Sequence, residues 1–413
     1  MPDKKSPSSM NLAAILSISF VMMAFMATMP AMAALGVQFG AEYGTNLSLL
    51  SNGYVFTVVP VTILGGWLTN NGKLKYRTAT FLGSLLMLVG GVLPAIVPGG
   101  FWYLFVCKLV FGVGLGLLTP LYNALIMNLY EGNEQARYLG WTTLLMDLGG
   151  IIIQNVAGRL VDGFGAGADG AGWYMHYWCY AIAVIPLVMS LFIPEPAPQE
   201  APAAAADEAP AAKESLGAYA IIAGIFLLLV NLLNTPANIY MTNVFIDRGI
   251  GGDTAASIAG TTLSCVAIAG VFSSALYEKI FNTFKRFTPV FAFALMAFGA
   301  FLLRIAPSAV VAMCGTTSFG LGFSLIIPAC MTIVGVRTPP SRVTLGTSVA
   351  MALMNLGGLI ATPYINVLTG MFGDGTSFYN SIFTVEAAGF VICALIFVLW
   401  NPYPEWLFGT PSE

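Results

Sequence analysis

The chain has 413 residues, of which 57% are hydrophobic and only 8% charged, and its formal net charge is −3. A soluble domain carries roughly 25% charged residues, so this composition excludes a water-soluble protein, and the charge balance excludes a basic nucleic-acid-binding chain. One histidine and six cysteines without a Cys-x-x-Cys pair provide little material for a metal centre, so we expect no metal and no cofactor.

Apolar segments long enough to cross a bilayer recur along the chain. A hydrocarbon core of about 30 Å requires about 20 apolar residues. Twelve segments meet this length, at about 12–35, 48–69, 77–97, 101–128, 138–160, 174–193, 217–243, 255–277, 287–305, 308–334, 345–368 and 380–400. The first exceeds the roughly 7–15 apolar residues of a signal peptide, so we expect it to be retained. The sequence predicts an all-α integral membrane protein.

The distribution of lysine and arginine predicts the orientation. With the N-terminus inside, twelve of the sixteen basic residues fall in cytoplasmic segments, which is what the positive-inside rule requires. We therefore expect a multi-pass protein of the plasma membrane (the cell inner membrane), with both termini cytoplasmic.

A segment rich in proline, alanine and glutamate, residues 194–215, separates the sixth and seventh spans. It has no apolar face to bury and is typical of a flexible linker. It divides the chain into an N-terminal six-helix bundle, residues 1–193, and a C-terminal six-helix bundle, residues 216–413.

The two halves repeat each other at a shift of 208 residues. Four motifs recur without gaps: Phe111-Gly112-Val113-Gly114 as Phe319-Gly320-Leu321-Gly322, Met146-Asp147-Leu148-Gly149-Gly150 as Met354-Asn355-Leu356-Gly357-Gly358, Leu68-Thr69-Asn70 as Leu276-Tyr277-Glu278, and Pro194-Glu195-Pro196 as Pro402-Tyr403-Pro404. Two bundles with the same helix order imply a pseudo-twofold axis along the membrane normal, with a cavity between them.

Two segments resemble signatures of the major facilitator superfamily. Residues 66–77, Gly-Trp-Leu-Thr-Asn-Asn-Gly-Lys-Leu-Lys-Tyr-Arg, are similar to the loop pattern G-x-L-x-D-R-x-G-R-R, with Asn70 in place of the aspartate. Lys108-x-x-x-Gly112-x-Gly114 is similar to the span-four pattern R-x-x-x-G-x-G, with lysine for arginine. The resemblance implies the twelve-helix fold of two pseudo-symmetric bundles and a secondary transporter that moves a small solute by alternating access.

The resemblance also implies residue roles. In the family, acidic and basic residues of the loop after span two latch the helices on the cytoplasmic side. The corresponding gating residues here are Gly66, Asn70, Lys73 and Arg77, with Glu278 and Lys279 in the second half. The span-four basic residue is often implicated in proton coupling or substrate handling. The span-five antiporter pattern is incomplete, because Ile153-Gln154 stands where Gly-Pro belongs, and this favours symport.

Ionisable groups at membrane depth cost at least roughly 2.5–3.5 kcal/mol on insertion scales, so they usually face a cavity or a partner. Two polar stripes follow helical spacing: Lys108, Gly112, Gly116, Thr119 and Asn123 on span four, and Thr143, Asp147, Gly150, Gln154 and Gly158 on span five. We interpret the stripes as walls lined by water or substrate, with Lys108 as a substrate contact and Asp147 and Glu386 as proton-coupling groups. The alternative is a structural Lys108–Asp147 ion pair and a structural Glu386.

Polar residues of the second half extend this site. The candidate substrate-binding residues are Lys108, Thr119, Asn123, Gln154, Asn231, Asn234, Asn238, Thr316, Ser324 and Asn355. Amides in lipid need partners, so the asparagines either line the cavity or bond between helices.

Three other features have mainly structural interpretations. The methionines of span one predict packing, with a soft wall for an apolar solute as the alternative. Arg304 predicts snorkelling to the headgroups, with an anion-attracting role at the mouth as the alternative. His176 lies among tryptophans and tyrosines and predicts an interfacial aromatic belt.

The sequence lacks the Gly-x-x-x-x-Gly-Lys-Ser/Thr phosphate loop, so we expect an ion or solute gradient to drive transport. We predict a proton-coupled symporter of a small organic anion, and not an enzyme. The alternatives are an exporter of amphipathic or drug-like compounds and a non-transporting membrane sensor or interaction protein with the same fold. The expected partners are a small-molecule substrate, protons and the lipid bilayer, with no nucleic acid, and we expect a monomer.

Overall fold

The computed structural model describes residues 9–70, 72–130, 132–163, 172–195, 218–338, 343–373 and 375–403. Every regular element in these ranges is helical. Eleven helical segments within them are long and apolar enough to cross a membrane, and the pair Val349–Leu359 and Ala361–Phe372, bent by 45°, provides a twelfth. The prediction of an all-α, twelve-helix membrane protein is confirmed.

The chain forms two compact units, Met1–Ala209 and Pro210–Glu413. The first unit contains Ser9–Val21, Ala24–Thr28 and Met32–Tyr43 (span one), Ser48–Asn52 and Val55–Asn70 (span two), Tyr76–Ile96 (span three), Phe101–Leu118 and Leu121–Leu129 (span four), Gly132–Gly163 (span five), and Met175–Ala183, Val184–Met189 and Ser190–Phe192 (span six). Of the predicted linker, only Pro194 and Glu195 lie within the described residues.

Spans one and six are not the regular α-helices that the sequence predicts. Ala24–Thr28 and Met175–Ala183 are 3-10 helices. In span one the cause is local: Pro30 has no N–H to donate to the carbonyl of Met26, and its ring crowds that carbonyl. The N–H of Met29 instead donates to Met26, three residues back. Two irregular segments therefore lie inside the first bundle.

The second unit has longer uninterrupted helices. Spans seven to twelve are Ala218–Asp247, Ala255–Phe284, Thr288–Ile305, Ala309–Arg337, Val343–Leu359 with Ala361–Phe372, and Thr376–Leu399. Span seven continues through Pro236 and span ten through Pro328. The second unit therefore keeps spans seven and ten continuous through their prolines and interrupts span eleven just before Pro363, which lies in the first turn of Ala361–Phe372.

The sequence repeat reappears in the helix packing inside each unit. A Cβ atom at Gly149 of span five would overlap the carbonyl oxygen of Phe20 in span one, and a Cβ atom at Gly357 would meet the carbonyl oxygen of Leu228. Both contacts obey the shift of 208. Glycine is required at this crossing because it allows the two backbones to approach closely.

Spans two and eight follow a different register. Gly112 packs on Tyr54 and Thr57, whereas Gly320 packs on Val266 and Ala269, a shift of 212 residues. The pairing of residues 68–70 with residues 276–278 is therefore displaced by one helical turn. The sequence match at 208 was wrong for this pair of spans, because leucine recurs too often in apolar helices to fix a register.

Candidate functional site

Lys108 is the centre of a polar cluster inside the N-terminal bundle. Its side chain is only 3% exposed. The ammonium Nζ donates to Thr28 Oγ1 at 3.0 Å and to Tyr180 OH at 2.9 Å, and the two hydroxyl oxygens lie 2.9 Å apart. The three polar atoms form a triangle with nearly equal sides, which we call the Lys108 triangle.

Aromatic rings surround the charge. Lys108 Nζ lies 5.7 Å from the ring centroid of Tyr54, 5.2 Å from that of Phe111 and 5.3 Å from that of Tyr180. Cations within about 6 Å of a ring centroid are attracted by the ring quadrupole. Rings from spans two, four and six therefore replace part of the hydration that the ammonium loses on burial.

The irregular segments of spans one and six place the two hydroxyls. Thr28 is the last residue of the 3-10 turn Ala24–Thr28, and Tyr180 lies within the 3-10 helix Met175–Ala183. Gly91 of span three makes room for Tyr180, since a Cβ atom there would collide with the tyrosine ring. The two breaks in regular helix geometry thus converge on the lysine.

The structure does not contain the alternative Lys108–Asp147 ion pair. Within the described part of the chain, Lys108 bonds to hydroxyls only. Asp147 is half-buried on span five and has neither a hydrogen bond nor an ion pair with any described residue. The two charged groups predicted for the site therefore stand separately.

The polar stripe of span four is only partly a wall. Gly112 and Gly116 pack against span two, where a Cβ atom at Gly116 would meet the carbonyl oxygen of Val58 at 2.8 Å. These glycines are helix-packing positions, which corrects their interpretation as part of a watered wall. Thr119 Oγ1 donates to Leu115 O of its own helix at 2.8 Å, and Asn123 is half-buried.

The stripe of span five packs on the methionines of span one. A Cβ atom at Gly150 would lie 3.1 Å from Met23 Cβ, and Gln154 Nε2 donates to Met26 Sδ at 3.3 Å. Gln154 is buried, whereas Thr143 is exposed. These contacts agree with the packing interpretation of the methionines.

His176 lies in the interior, so the interpretation as a member of an interfacial belt was wrong. Its side chain is 0% exposed. Nδ1 lies 2.6 Å from Trp173 O, and the ring is 4.0 Å from that of Tyr177. Only Trp178, at 44% exposure, has the outward position that a belt requires.

In the second unit, two candidate residues bond between helices. Thr316 Oγ1 donates to Thr262 O of span eight at 2.8 Å, and Asn231 Nδ2 donates to Met354 O of span eleven at 2.9 Å. Both follow the structural alternative given for polar residues in lipid. Three other candidate residues, Asn234, Asn238 and Ser324, are half-buried, and Asn355 is exposed.

Glu386 of span twelve is 1% exposed, and neither carboxyl oxygen has a hydrogen-bond partner among the described residues. Tyr364 of span eleven lies close enough to interact with it electrostatically. A buried carboxyl group without a partner is costly to ionise, so the geometry suits a group that holds a proton.

The predicted gating residues show no latch among the described side chains. Lys73 Nζ lies 4.4 Å above the Trp67 ring, and Arg77 and Lys279 are exposed. Gly66 lies beside Pro120 of span four. The side chains of Asn70 and Glu278 lie outside the described part of the structure.

Glu195, which the sequence places in a repeated Pro-x-Pro motif without a predicted role, caps span three. The carboxylate of Glu195 accepts hydrogen bonds from the backbone N–H groups of Tyr76 and Arg77 at 3.0 and 2.9 Å. An anion at a helix N-terminus is favourable. The start of the predicted linker is thereby fastened to the loop after span two.

Sequence reasoning missed Thr28, Tyr54, His176 and Tyr180 as neighbours of Lys108. A weak signal existed in the hydroxyl of Thr28, which stands beside a proline in an otherwise apolar span. The other three belong to aromatic-rich stretches whose inner and outer faces the sequence does not distinguish.

Comparison with known proteins identifies the family. The sequence profile of the Major Facilitator Superfamily matches residues 14–362. The chain belongs to the major facilitator superfamily. This superfamily consists of membrane transporters, so the prediction that the chain is a transport protein and not an enzyme is confirmed at this level.

Two relatives share parts of the facilitator chain. It is 30% identical over 141 residues to the uncharacterized transporter YclF of Bacillus subtilis (strain 168), and 30% identical over 147 residues to a putative inorganic phosphate cotransporter of Drosophila ananassae. The alignments cover 32% and 34% of this chain and 28% of each relative. The chain thus matches little more than a quarter of the length of either relative.

Solved structures share the fold across nearly the whole facilitator chain. The nucleoside transporter NupG has a TM-score of 0.70 at 12% identity, covering 94% of this chain and 99% of that one. A D-xylose-proton symporter has a TM-score of 0.70 at 16% identity, covering 96% and 98%. At these identities the likeness shows the fold alone.

Proposed function

We propose that this facilitator is a proton-coupled symporter of a small organic anion, working by alternating access in the plasma membrane. The observation that carries the proposal is the Lys108 triangle. It holds a buried cation, and it has more hydrogen-bond donors than the described residues around it can accept. Membership of the family supports the transport function, and the triangle supports a preference for a negatively charged substrate.

The donor inventory of the triangle favours an anion. The ammonium of Lys108 has three donor protons, and the hydroxyls of Thr28 and Tyr180 have one each. The three contacts within the triangle use two ammonium protons and one hydroxyl proton. One N–H and one O–H remain without an acceptor among the described residues. An anionic oxygen would accept both and offset the charge, as charge-assisted bonds do.

The relatives are compatible with this chemistry. The Drosophila ananassae relative is named as a putative inorganic phosphate cotransporter, and phosphate is an oxyanion. Because that alignment covers only 34% of this chain, it supports the class of ligand and not its identity.

The other predicted roles belong to the same proposal. Asn123, Gln154, Asn234, Asn238, Ser324 and Asn355 are further candidate substrate contacts. Asp147 and Glu386 are candidate carboxyl groups for proton coupling, because both lack described partners. We propose a monomer with cytoplasmic termini, in which the loop after span two, with Lys73 and Arg77, takes part in gating.

An exporter of amphipathic compounds is the second candidate, because Met23 and Met26 are half-buried and flexible. It draws less support, since both methionines already contact Gly150 or Gln154 of span five.

A thermal-shift panel tests the proposal. Purified protein is heated with sulfate, methanesulfonate, succinate or gluconate, and with xylose and adenosine as neutral solutes. A ligand at about 100 times its Kd stabilises the folded state by about 2.7 kcal/mol, so an anion that binds raises the melting temperature. Lys108→Met should abolish the shift, while Lys75→Gln, at an exposed lysine, should keep it. Stabilisation by neutral solutes alone, or an undiminished anion shift in Lys108→Met, would contradict the proposal.

Tyr180→Phe measures the hydroxyl contribution. A hydrogen bond to a charged group contributes about 1.5–3 kcal/mol, so loss of this donor should raise the Kd for the anion about tenfold or more. Unchanged anion affinity would show that the triangle does not face the ligand.

A further inference from the structure

His176 is the one histidine of the sequence, and one of its nitrogens has no partner. Nδ1 lies 2.6 Å from Trp173 O. A carbonyl oxygen only accepts, so Nδ1 carries the hydrogen and Nε2 carries the lone pair of the neutral ring. Nε2 is buried and unbonded within the described part of the chain. The bundle therefore contains an unused proton acceptor.

This acceptor belongs to the same structural unit as the Lys108 triangle. His176 and Tyr180 lie on one 3-10 helix, Met175–Ala183, and Tyr180 bonds to the lysine ammonium. His176 is close enough to Lys108 for the two charges to interact. Burial of the ring disfavours a charged imidazole most strongly, and repulsion from the Lys108 ammonium adds to this cost. We therefore take His176 as neutral while Lys108 has no anion.

We propose that binding of an anion at Lys108 draws a proton onto His176 Nε2, so that anion and proton occupy the N-terminal bundle together. The inference rests on the proposed function and assigns a residue to its proton coupling. The step forms one N–H bond between a proton from water and the Nε2 lone pair, and the imidazole becomes an imidazolium. The bond that breaks is an O–H bond of a hydronium ion, which is left as a neutral water molecule, and the anion offsets one of the two positive charges.

The remaining titratable groups around His176 are consistent with this assignment. Span four contributes Lys108, Cys107 and Tyr103, and span six itself contributes Tyr177 and Tyr180. The titratable groups of the neighbouring span five are Asp147, Arg159 and Asp162. Span one brings Glu42 and Tyr43, at the end of the helix whose Phe39 packs on Trp173. The charged side chain of span three is Arg77, in its first turn. Lys108 is the described charge that interacts with His176, and it is the charge that an anion would offset.

Thermodynamic linkage makes the coupling reciprocal. If the anion favours the protonated ring, the protonated ring favours the anion to the same extent. Anion affinity should therefore rise as the pH falls. Glu386 also lacks partners, but it lies in the second unit and has no described contact with Lys108 that would link it to the anion.

Nitrogen NMR of the whole protein reads the proton directly. Protein labelled with nitrogen-15 histidine gives signals from a single imidazole, because the sequence has one histidine. The probes are sulfate and methanesulfonate, which keep their charge across the neutral range, so any added proton enters the protein. We expect Nε2 to be unprotonated without the anion and protonated with it, and Lys108→Met to remove the change.

The outcomes separate this inference from the proposed function. If either anion binds in a Lys108-dependent way while Nε2 stays unprotonated, the inference is wrong and the proposed function survives. If none of sulfate, methanesulfonate, succinate and gluconate gives Lys108-dependent binding or stabilisation, both are overturned. The NMR measurement uses the wild-type chain, so it decides the question even if a histidine variant fails to fold.

Binding to His176→Gln provides a second measurement. In the wild type the Kd for sulfate should fall by up to about tenfold per unit of decreasing pH, because one proton is taken up with the anion. Glutamine has no titrating group, so the variant should bind sulfate with little dependence on pH. If that dependence persists in His176→Gln and disappears in Glu386→Gln or Asp147→Asn, the proton belongs to a carboxyl group.

Discussion

The two halves place different chemistry at the same point of a shared helix packing. Lys108 and Thr316 each stand four residues before a glycine, Gly112 or Gly320, that packs in the same way on the neighbouring span. Lys108 bonds to hydroxyls from spans one and six. Thr316 Oγ1 instead donates to the backbone carbonyl of Thr262 at 2.8 Å. The first half therefore has a charged side chain where the second half has a hydroxyl that is already bonded to a backbone carbonyl.

The surroundings differ in the same sense. The ring contact between Phe111 and Tyr180, at 4.9 Å, recurs as Phe319 and Phe390 at 6.0 Å, without the hydroxyl. Val266 occupies the place of Tyr54 in the packing around the glycine. The second half thus lacks the tyrosine groups that stabilise the lysine in the first.

The comparison teaches that the fold does not need the Lys108 triangle. A buried ammonium costs free energy that hydroxyls and rings offset only in part, and the C-terminal bundle packs the same crossing without it. A costly group that the twin bundle does without is better explained by ligand binding than by stability.

Each half nevertheless retains one buried titratable group without a complete set of partners on its last span. His176 stands four residues before Tyr180, and Glu386 stands four residues before Phe390, the two rings that pack on span four and span ten. The group is basic in the first half and acidic in the second. The two halves therefore differ in chemistry at this position as well.

Moving the charge should have the largest effect. Thr316→Lys would bury an ammonium at a position whose described hydrogen-bond acceptors are backbone carbonyls, those of Thr262, Ala312 and Met313. An uncompensated buried charge destabilises by about 3–5 kcal/mol, and a loss of that size is expected in the free energy of unfolding measured by SDS titration.

Lys108→Met is the control for the moved charge. It removes a buried charge from the first half and should leave the free energy of unfolding unchanged or higher, because apolar replacements of buried charges are often neutral or stabilising. If Lys108→Met loses as much stability as Thr316→Lys, the triangle is structural and the contrast between the halves fails.

The shared packing predicts a loss of stability in both halves. Gly149→Ala and Gly357→Ala each add a methyl group against a backbone carbonyl of the first span of their unit. Overpacking of this kind costs about 1–3 kcal/mol. We expect a drop in melting temperature for both variants, and the larger one for Gly149→Ala, where the added methyl group would overlap the carbonyl oxygen more deeply.

The matched controls are Gly40→Ala and Gly370→Ala, since a Cβ atom at either position has nothing within 4 Å. Alanine there should be neutral or should gain up to about 1 kcal/mol of helix propensity. A large drop for Gly149→Ala with none for Gly357→Ala would show that the two crossings differ.

The twelve spans could be predicted from the sequence because length and apolar character are local properties. The breaks in them were harder. Pro30 marks the irregular turn of span one, but a membrane helix also tolerates proline without breaking, as Pro236 shows in span seven. Nothing local marks the 3-10 helix that opens span six, so its regular form was assumed and its faces were misassigned.

The candidate site divides in the same way. Lys108 could be predicted as a site residue because a single charged residue within an apolar span is recognisable from the sequence alone. Its partners Thr28 and Tyr180 lie 80 and 72 residues away in the sequence, so only the folded bundle brings them together. His176 was assigned to the interface from its tryptophan neighbours, because the period of three in a 3-10 helix moves its ring to the inner face.

The smallest expected effect concerns Asn231, whose counterpart at the shift of 208 is Met23. Asn231 Nδ2 donates to Met354 O at 2.9 Å, whereas Met23 packs beside Gly150 without such a bond. Interhelical hydrogen bonds in a membrane contribute about 0.6 kcal/mol on average and about 1.7 kcal/mol at most. Asn231→Met should therefore lower the free energy of unfolding by about 0.6 kcal/mol in an SDS titration.

The reverse exchange, Met23→Asn, sharpens this test. If spans one and five pack with the same geometry as spans seven and eleven, the new amide can reach the carbonyl of Met146, the counterpart of Met354. The free energy of unfolding should then change little or rise slightly. A loss for Asn231→Met well above the range for one hydrogen bond would mean that this amide holds span seven by further contacts. The two helix contacts would then differ in shape as well as in polarity. The common packing inferred from Gly149 and Gly357 would not extend to the contacts of Met23 and Asn231.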